Sequence, residues 1–222
     1  MEPIWQSESQ SEITDAGKLV TRAVVEHLAR PAARPIVRRC GPMLAKDWNG
    51  DLDFPVFVQP KLNGLRCLAK SSGLFARGGD RFVSLPHLDE VLADFFLAHP
   101  HVVLDGELYC HGMPLRRIAG AARTSHPTAD SLALSFNVFD LVAYIPFEER
   151  LDRLTELLED CPPSVGIVPT DICHSQREMD AHYESCLRDG YEGQMIRDLD
   201  EPYVHGRSDG LLRRKPGQSG QR

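Results

Sequence analysis

The sequence predicts an α+β fold in which antiparallel sheets are flanked by helices. Three observations carry that prediction. Short β-type runs bounded by Gly, Asp, Asn or Pro fill the chain after Phe54. Three segments with apolar residues at helical spacing interrupt them. The helices fall at irregular intervals, unlike the regular strand–helix alternation of a doubly wound parallel sheet.

Residues 1–11 are polar and read as loose. Over residues 12–29, Leu19, Val20, Ala23, Val24 and Leu28 recur at helical spacing, so an amphipathic N-terminal helix is expected. The stretch from Arg30 to Pro35 ends it, because proline cannot continue a helix, and Arg30, Arg34, Arg38 and Arg39 make this linker basic. Residues 1–40 are thus expected to form an extension and residues 41–222 the main domain. Strands are expected at 56–58, 65–69, 74–76, 102–104 and 134–142. Residues 87–98 place Leu88, Val91, Leu92, Phe95 and Phe96 on one side of a helix. Residues 147–160 carry Leu151, Leu154, Leu157 and Leu158 on one face, acids on the other, and stop at Pro162-Pro163. Residues 175–189 open with a capping box, Ser175 and Glu178, and close at Gly190.

Composition narrows the function. The 222 residues are 42% hydrophobic and 26% charged, ordinary globular usage that excludes disordered and collagen-like classes. With 32 acidic against 25 basic residues the net charge is -7, so any nucleic-acid contact must come from local clusters. Six scattered cysteines without a CxxC pair argue against a zinc site or disulfide scaffold and suit a reducing, cytoplasmic setting. The N-terminus has no basic and apolar signal pattern, and no apolar run approaches about 20 residues, so no membrane partner is expected.

Five blocks carry chemistry. In Gln59-Pro60-Lys61-Leu62-Asn63-Gly64-Leu65-Arg66 a lysine ends a hydrophobic strand beside a tight turn, where a backbone can approach a ligand; a desolvated lysine near other cations can attack as a neutral amine. A surface lysine before an Asn-Gly hairpin fits the same letters. In Asp105-Gly106-Glu107 two carboxylates straddle a glycine at a strand end, suited to a ribose hydroxyl or a hard divalent cation, or to a plain β-turn. Phe139 stands beside Asp140 in a buried strand, either to stack on a base or as core. Glu192 follows a helix cap and opens a β-run ending at Arg197. Arg213 and Lys215 are expected on one face of a closing strand, where two cations suit a polyphosphate. A charged, aggregation-resistant edge strand is the alternative there.

In this order the blocks resemble the nucleotidyltransferase domain of ATP-dependent DNA ligases, over about Gly41 to Lys215, and the small viral and bacterial ligases in particular. The resemblance implies a nucleotidyltransferase, ATP-grasp-like fold. It also implies ATP as the cofactor, with AMP carried on Lys61, followed by transfer to a 5′-phosphate and sealing of nicked duplex DNA. It assigns Gln59 to the adenine edge, Arg66 to the ribose or phosphate side, Phe139 to adenine stacking, and Glu107 to ribose and metal. Glu192 would bind Mg2+, Arg77 the 5′-phosphate and Arg207 the nicked strand, while Arg213 and Lys215 neutralise phosphoryl-transfer charge. Asn63, Ala76 and Arg213 depart from the family's usual aspartate, serine and lysine. The chain ends seven residues after Lys215, which leaves no room for the family's OB-fold clamp. A truncated piece or a stand-alone, monomeric adenylation domain is expected, with a separate clamp protein as a candidate partner. RNA ligation, mRNA capping with GTP and a non-catalytic nick- or end-binding module are the competing functions.

Overall fold

The computed structural model describes residues 41–50 and 52–217; the expected N-terminal helix and basic linker lie outside the described residues. One sheet is built from β1 (Met43–Asp47), β2 (Val56–Lys61), β8 (Asp171–Cys173), β9 (Gly193–Arg197) and β10 (Gly206–Arg214), in the order β1-β10-β9-β2-β8. A second is built from β3 (Leu65–Lys70), β4 (Gly73–Ala76), β5 (Leu104–Tyr109), β6 (Ser135–Leu141) and β7 (Val165–Ile167), in the order β4-β3-β5-β6-β7. Pairing is antiparallel except at β1–β10 and β6–β7, which are parallel, so the expectation of purely antiparallel sheets is corrected at those two pairs.

Five helices accompany them among the described residues: α1 (Pro86–Ala98), α2 (Leu115–Ala122), α3 (Ala129–Leu132), α4 (Phe147–Leu158) and α5 (Gln176–Arg188). Proline at its start suits α1, because the missing N–H has no intrahelical partner there; the helix buries Leu88, Leu92, Phe95 and Phe96. The Ser175 hydroxyl caps α5 by accepting the Glu178 N–H at 3.3 Å, while the Glu178 carboxylate accepts from the His174 N–H at 2.8 Å. The return arm of the expected box therefore lands one residue earlier. Gly190 closes α5 at φ 83°, a left-handed conformation that favours glycine.

Leu104, Leu108, Phe136 and Val138 of the second sheet pack against Leu88 and Leu92 of α1, Ile118 of α2 and Leu154 of α4. Each such buried side chain contributes about 1.5–3 kcal/mol. On the first sheet Val56, Val58 and Ile196 pack with Met179 of α5. Among the described residues no helix is long and apolar enough to cross a membrane.

Two local readings change. The strand expected over 102–104 begins at Leu104 and runs on to Tyr109, so Asp105-Gly106-Glu107 is strand interior and neither a turn nor a strand end. Glycine is required there: a Cβ on Gly106 would stand 2.5 Å from the Asn137 carbonyl oxygen and 2.7 Å from the Phe136 ring. Between β5 and β6 the register passes from Asp105 opposite Asp140 to Gly106 opposite Val138, leaving Phe139 unpaired in a bulge. Bulges re-aim side chains next to functional sites. β1, β7, β8, α2 and α3 are additional to the expected elements; none exceeds 8 residues, too few to show a period in sequence.

Candidate active site

The two sheets face each other across a cavity of about 260 Å³. The first sheet contributes Gln59, Lys61, Met195, Arg197 and Arg213; the second contributes Arg66, Glu107 and Phe139, with Arg77 just past β4. Arg207 closes the β10 side and donates to the Ala45 carbonyl at 3.1 Å. Six cations (Lys61, Arg66, Arg77, Arg197, Arg207, Arg213) and one acid, Glu107, therefore line a hollow in a chain of net charge -7. Such a concentration of one sign draws in an anion, and guanidinium forks suit phosphate oxygens. A larger depression of about 410 Å³ lies against Leu52, Asp53, Asp198 and Asp209; no basic residue among those described lines it, although Lys46 pairs with Asp209, and its sign is wrong for phosphate.

Lys61 sits at the last position of β2. Its Nζ donates to Glu192 Oε2 at 2.6 Å, and Glu192 is also ion-paired with Lys215. Burial works against the Glu192 carboxylate, but the hydrogen bonds and charges of Lys215 and Lys61 outweigh it and hold the group below its ordinary range. Gly193 makes this junction possible, since a Cβ there would stand 2.1 Å from the Arg214 carbonyl oxygen. The strand ends at Arg214. Arg213 and Lys215 diverge in their partners: Arg213 faces the cavity and Asp47, whereas Lys215 turns to Glu192.

Glu107 accepts the Gly64 N–H at 3.1 Å, the closest use of the turn after Lys61. Gly64 must be glycine, because a Cβ would stand 2.2 Å from the Leu108 carbonyl oxygen. Burial raises the Glu107 carboxyl to about 7, against the opposing charges of Arg66 and Lys61. A raised carboxyl is a folding cost that begins near its ordinary 4.5 and is complete above about 7. Glu107→Gln, which keeps the acceptor for Gly64, is expected to gain melting temperature relative to the parent as pH rises from 5 to 8. A difference that stays flat across that range would refute the assignment.

Asp105, paired with Glu107 in sequence, belongs elsewhere. It is fully buried, takes a bidentate pair from Arg66 and accepts the Tyr203 hydroxyl at 2.6 Å, so it is not an open ligand. Burial alone would lower Arg66, but the Asp105 carboxylate holds that guanidinium above its usual range. Arg66 in turn lies 4.6 Å from the centroid of the Phe139 ring, the residue the bulge turns out of register.

Gln59 is 1% exposed, and its amide is committed to the protein. Nε2 donates to Thr170 Oγ1 at 2.8 Å and to the Phe139 carbonyl at 3.3 Å, and Oε1 accepts from Arg197 Nε at 2.8 Å. Because Arg197 can only donate and the carbonyl only accept, these partners fix the amide's orientation. Arg197 was not singled out from sequence. It joins Asp140 at 2.7 Å, and Asp140 also receives Arg150 Nε at 2.6 Å, which ties the first sheet, the second sheet and α4 in one buried cluster.

A family model described as "ATP dependent DNA ligase domain" matches residues 42–215. The chain belongs to that family. This ligase-domain chain is 31% identical over 184 residues to a DNA ligase of African swine fever virus, covering 74% of this chain and 43% of the viral ligase. It is 28% identical over 133 residues to a DNA ligase of Methanospirillum hungatei, covering 54% of this chain and 22% of that ligase. The chain thus spans less than half the length of these relatives. Among solved structures, one described as a structure–function analysis of Lig E DNA ligases aligns at a TM-score of 0.66 and 26% identity, covering 79% of this chain and 68% of that one. The Chlorella virus DNA ligase-adenylate shares the fold at a TM-score of 0.67 and 24% identity, covering 80% of this chain and 68% of that one. The α+β nucleotidyltransferase fold implied by the sequence blocks is the fold observed.

Proposed function

We propose that this domain attaches AMP to Lys61 from ATP, passes it to the 5′-phosphate of a nick in duplex DNA, and seals the strand. The observation that carries the proposal is a lysine at the lip of a hollow lined by five further cations and an aromatic ring. Lys61 Nζ attacks the α-phosphorus of ATP; the N–P bond forms, the bond to the β-phosphate oxygen breaks, and pyrophosphate leaves. A 5′-phosphate oxygen then attacks the same phosphorus, the N–P bond breaks, and Lys61 regains its proton. Finally the 3′-hydroxyl attacks the 5′-phosphorus and AMP departs.

Each chain residue has a part. The resting ammonium of Lys61 is held by Glu192 at 2.6 Å and must lose a proton before it attacks. Glu192, kept low by two lysines, is a poor final acceptor, so the proton passes on to solvent. Arg213 faces the polyphosphate, with Lys215 behind it through Glu192, and Arg77 and Arg207 at the rim meet DNA phosphates. Glu107 and Glu192 are hard oxygen donors near Lys61; one Glu107 oxygen has no hydrogen bond among the described residues, whereas the two Glu192 oxygens are held by Lys61 and Lys215 and would have to exchange a lysine for the ion. Two carboxylates completed by substrate phosphates are a donor set that Mg2+ accepts, and the ion would supply positive charge at the phosphate oxygens. The free thiols of Cys67, Cys110, Cys161, Cys173 and Cys186 suit a reducing intracellular setting.

Adenine preference follows from Gln59. With its N–H groups on Thr170 and the Phe139 carbonyl and Oε1 already accepting from Arg197, Gln59 has only the second lone pair of Oε1 to offer the exocyclic amine of adenine. Guanine presents a carbonyl at that edge and is refused. Phe139→Ala is expected to weaken ATP binding by about 1–3 kcal/mol, through loss of stacking. Titration calorimetry measures this, and an unchanged affinity would leave Phe139 as packing alone. Incubation with Mg2+ and either ATP or GTP, read by intact mass, tests the whole proposal. An adduct from ATP alone supports it; an adduct from GTP moves the reading to capping chemistry.

A further inference from the structure

Arg214 stands between Arg213, which faces the cavity, and Lys215, which turns to Glu192; its own side chain leaves the strand toward α5. There the guanidinium centre lies 4.1 Å from the centroid of the Tyr183 ring and 4.6 Å from that of Trp48. Nη1 donates to Asp180 Oδ1 at 2.6 Å, an oxygen that also accepts from Gln176 Nε2 at 2.9 Å. Two rings and a carboxylate thus hold one guanidinium, whose side chain is 16% exposed. A planar cation stacked on aromatic faces and hydrogen-bonded at its edge keeps a single orientation.

The holders come from two parts of the fold. Asp180 and Tyr183, at i and i+3, share a face of α5, and Trp48 follows β1. The backbone repeats the tie, since the Trp48 N–H donates to the Arg213 carbonyl at 3.0 Å. The indole N–H of Trp48 is buried with no hydrogen-bond partner among the described residues, so packing and the guanidinium hold that ring. On its other side Arg214 reaches the nucleophile's own strands. It pairs with Gln194 of β9, whose neighbour Gly193 pairs with Lys61, and its carbonyl is the group that only a glycine at 193 admits.

We infer that Arg214 is a positioning residue for AMP attachment. Its clamp on α5 and Trp48 fixes the end of β10, so that Arg213 meets the polyphosphate while Lys215 stays on Glu192. The inference rests on the reaction proposed above. None of Trp48, Asp180, Tyr183 or Arg214 lines the cavity, so any effect of the clamp on the chemistry passes through its neighbours.

The test is the rate of AMP attachment from ATP and Mg2+ over a range of ATP concentrations, in variants shown to be folded by circular dichroism. Arg214→Met keeps the stem and removes the cation. Its rate at saturating ATP is expected to fall about 10-fold or more, because a misplacement of about 1 Å can cost about 100-fold. The half-saturating ATP concentration is expected to stay within about two-fold, as for an interaction made in the transition state. Tyr183→Phe keeps the ring and is expected to match the parent, whereas Tyr183→Leu is expected to slow as Arg214→Met does. A merely structural role would not split the rate from the half-saturation, nor phenylalanine from leucine. Should Arg214→Met fail to fold, the Tyr183 pair decides alone. The parental rate in Arg214→Met, equal losses in the two Tyr183 variants, or weaker ATP binding at an unchanged rate would overturn the positioning role. Absence of AMP attachment in the parent chain would instead overturn the proposed reaction.

Discussion

Lys61→Ala and Lys61→Arg will both lose covalent AMP down to background while remaining folded. Alanine removes the nucleophile. Arginine keeps the charge beside Glu192, yet its guanidinium stays protonated and cannot attack. Neither change should unfold the domain, because Lys61 ends β2 at the cavity lip and its side chain is 19% exposed. Glu192 also retains Lys215 when Lys61 is lost, so no charge is stranded. A partly exposed ion pair of this kind contributes about 1 kcal/mol or less. Sealing of a nick that already carries AMP should survive, since the amine acts only in loading. Persistent labelling in the arginine variant would place the nucleophile on another residue.

Asp140→Ala should be the most damaging single change to stability, at about 3–5 kcal/mol, as expected when one partner leaves a buried ionic cluster. Asp140 is 1% exposed and stands between Arg150, also 1% exposed, and Arg197, 3% exposed. Without it two guanidiniums stay buried, with only the Ile145, Glu201 and Phe139 carbonyls and Gln59 Oε1 as acceptors. The loss also frees the joint between the sheets, so nucleotide binding should weaken along with stability. Urea unfolding followed by circular dichroism measures the first effect. A cost under about 1 kcal/mol would mean that the cluster is not the joint described.

Lys61, Glu192 and the closing cations could be singled out in sequence because each lies beside a local signal, a turn glycine, a helix cap or a basic run, whereas Glu107 was picked as a strand-end acid and lies inside β5. The long helices were legible for the same reason, since α1, α4 and α5 repeat their apolar positions over three turns or more. What sequence could not show depends on distant partners. Arg197 reads as the last letter of a β-run, yet its role is set by Asp140, 57 positions away. Asp105 looked like a twin of Glu107 until Arg66 and Tyr203 were seen to occupy it. The Phe139 bulge is a matter of register with β5, which no local pattern encodes. Gln59 was singled out in sequence for an adenine edge, but its locked orientation comes from the Phe139 carbonyl and Arg197, 80 and 138 positions on.

Peptide mapping of the chain after incubation with ATP and Mg2+ tests the central claim most directly. The account predicts a single AMP, bound through an acid-labile N–P bond, on the peptide that contains Lys61, and none after incubation with GTP. AMP on any other residue, or on Lys61 from GTP as readily as from ATP, would contradict it.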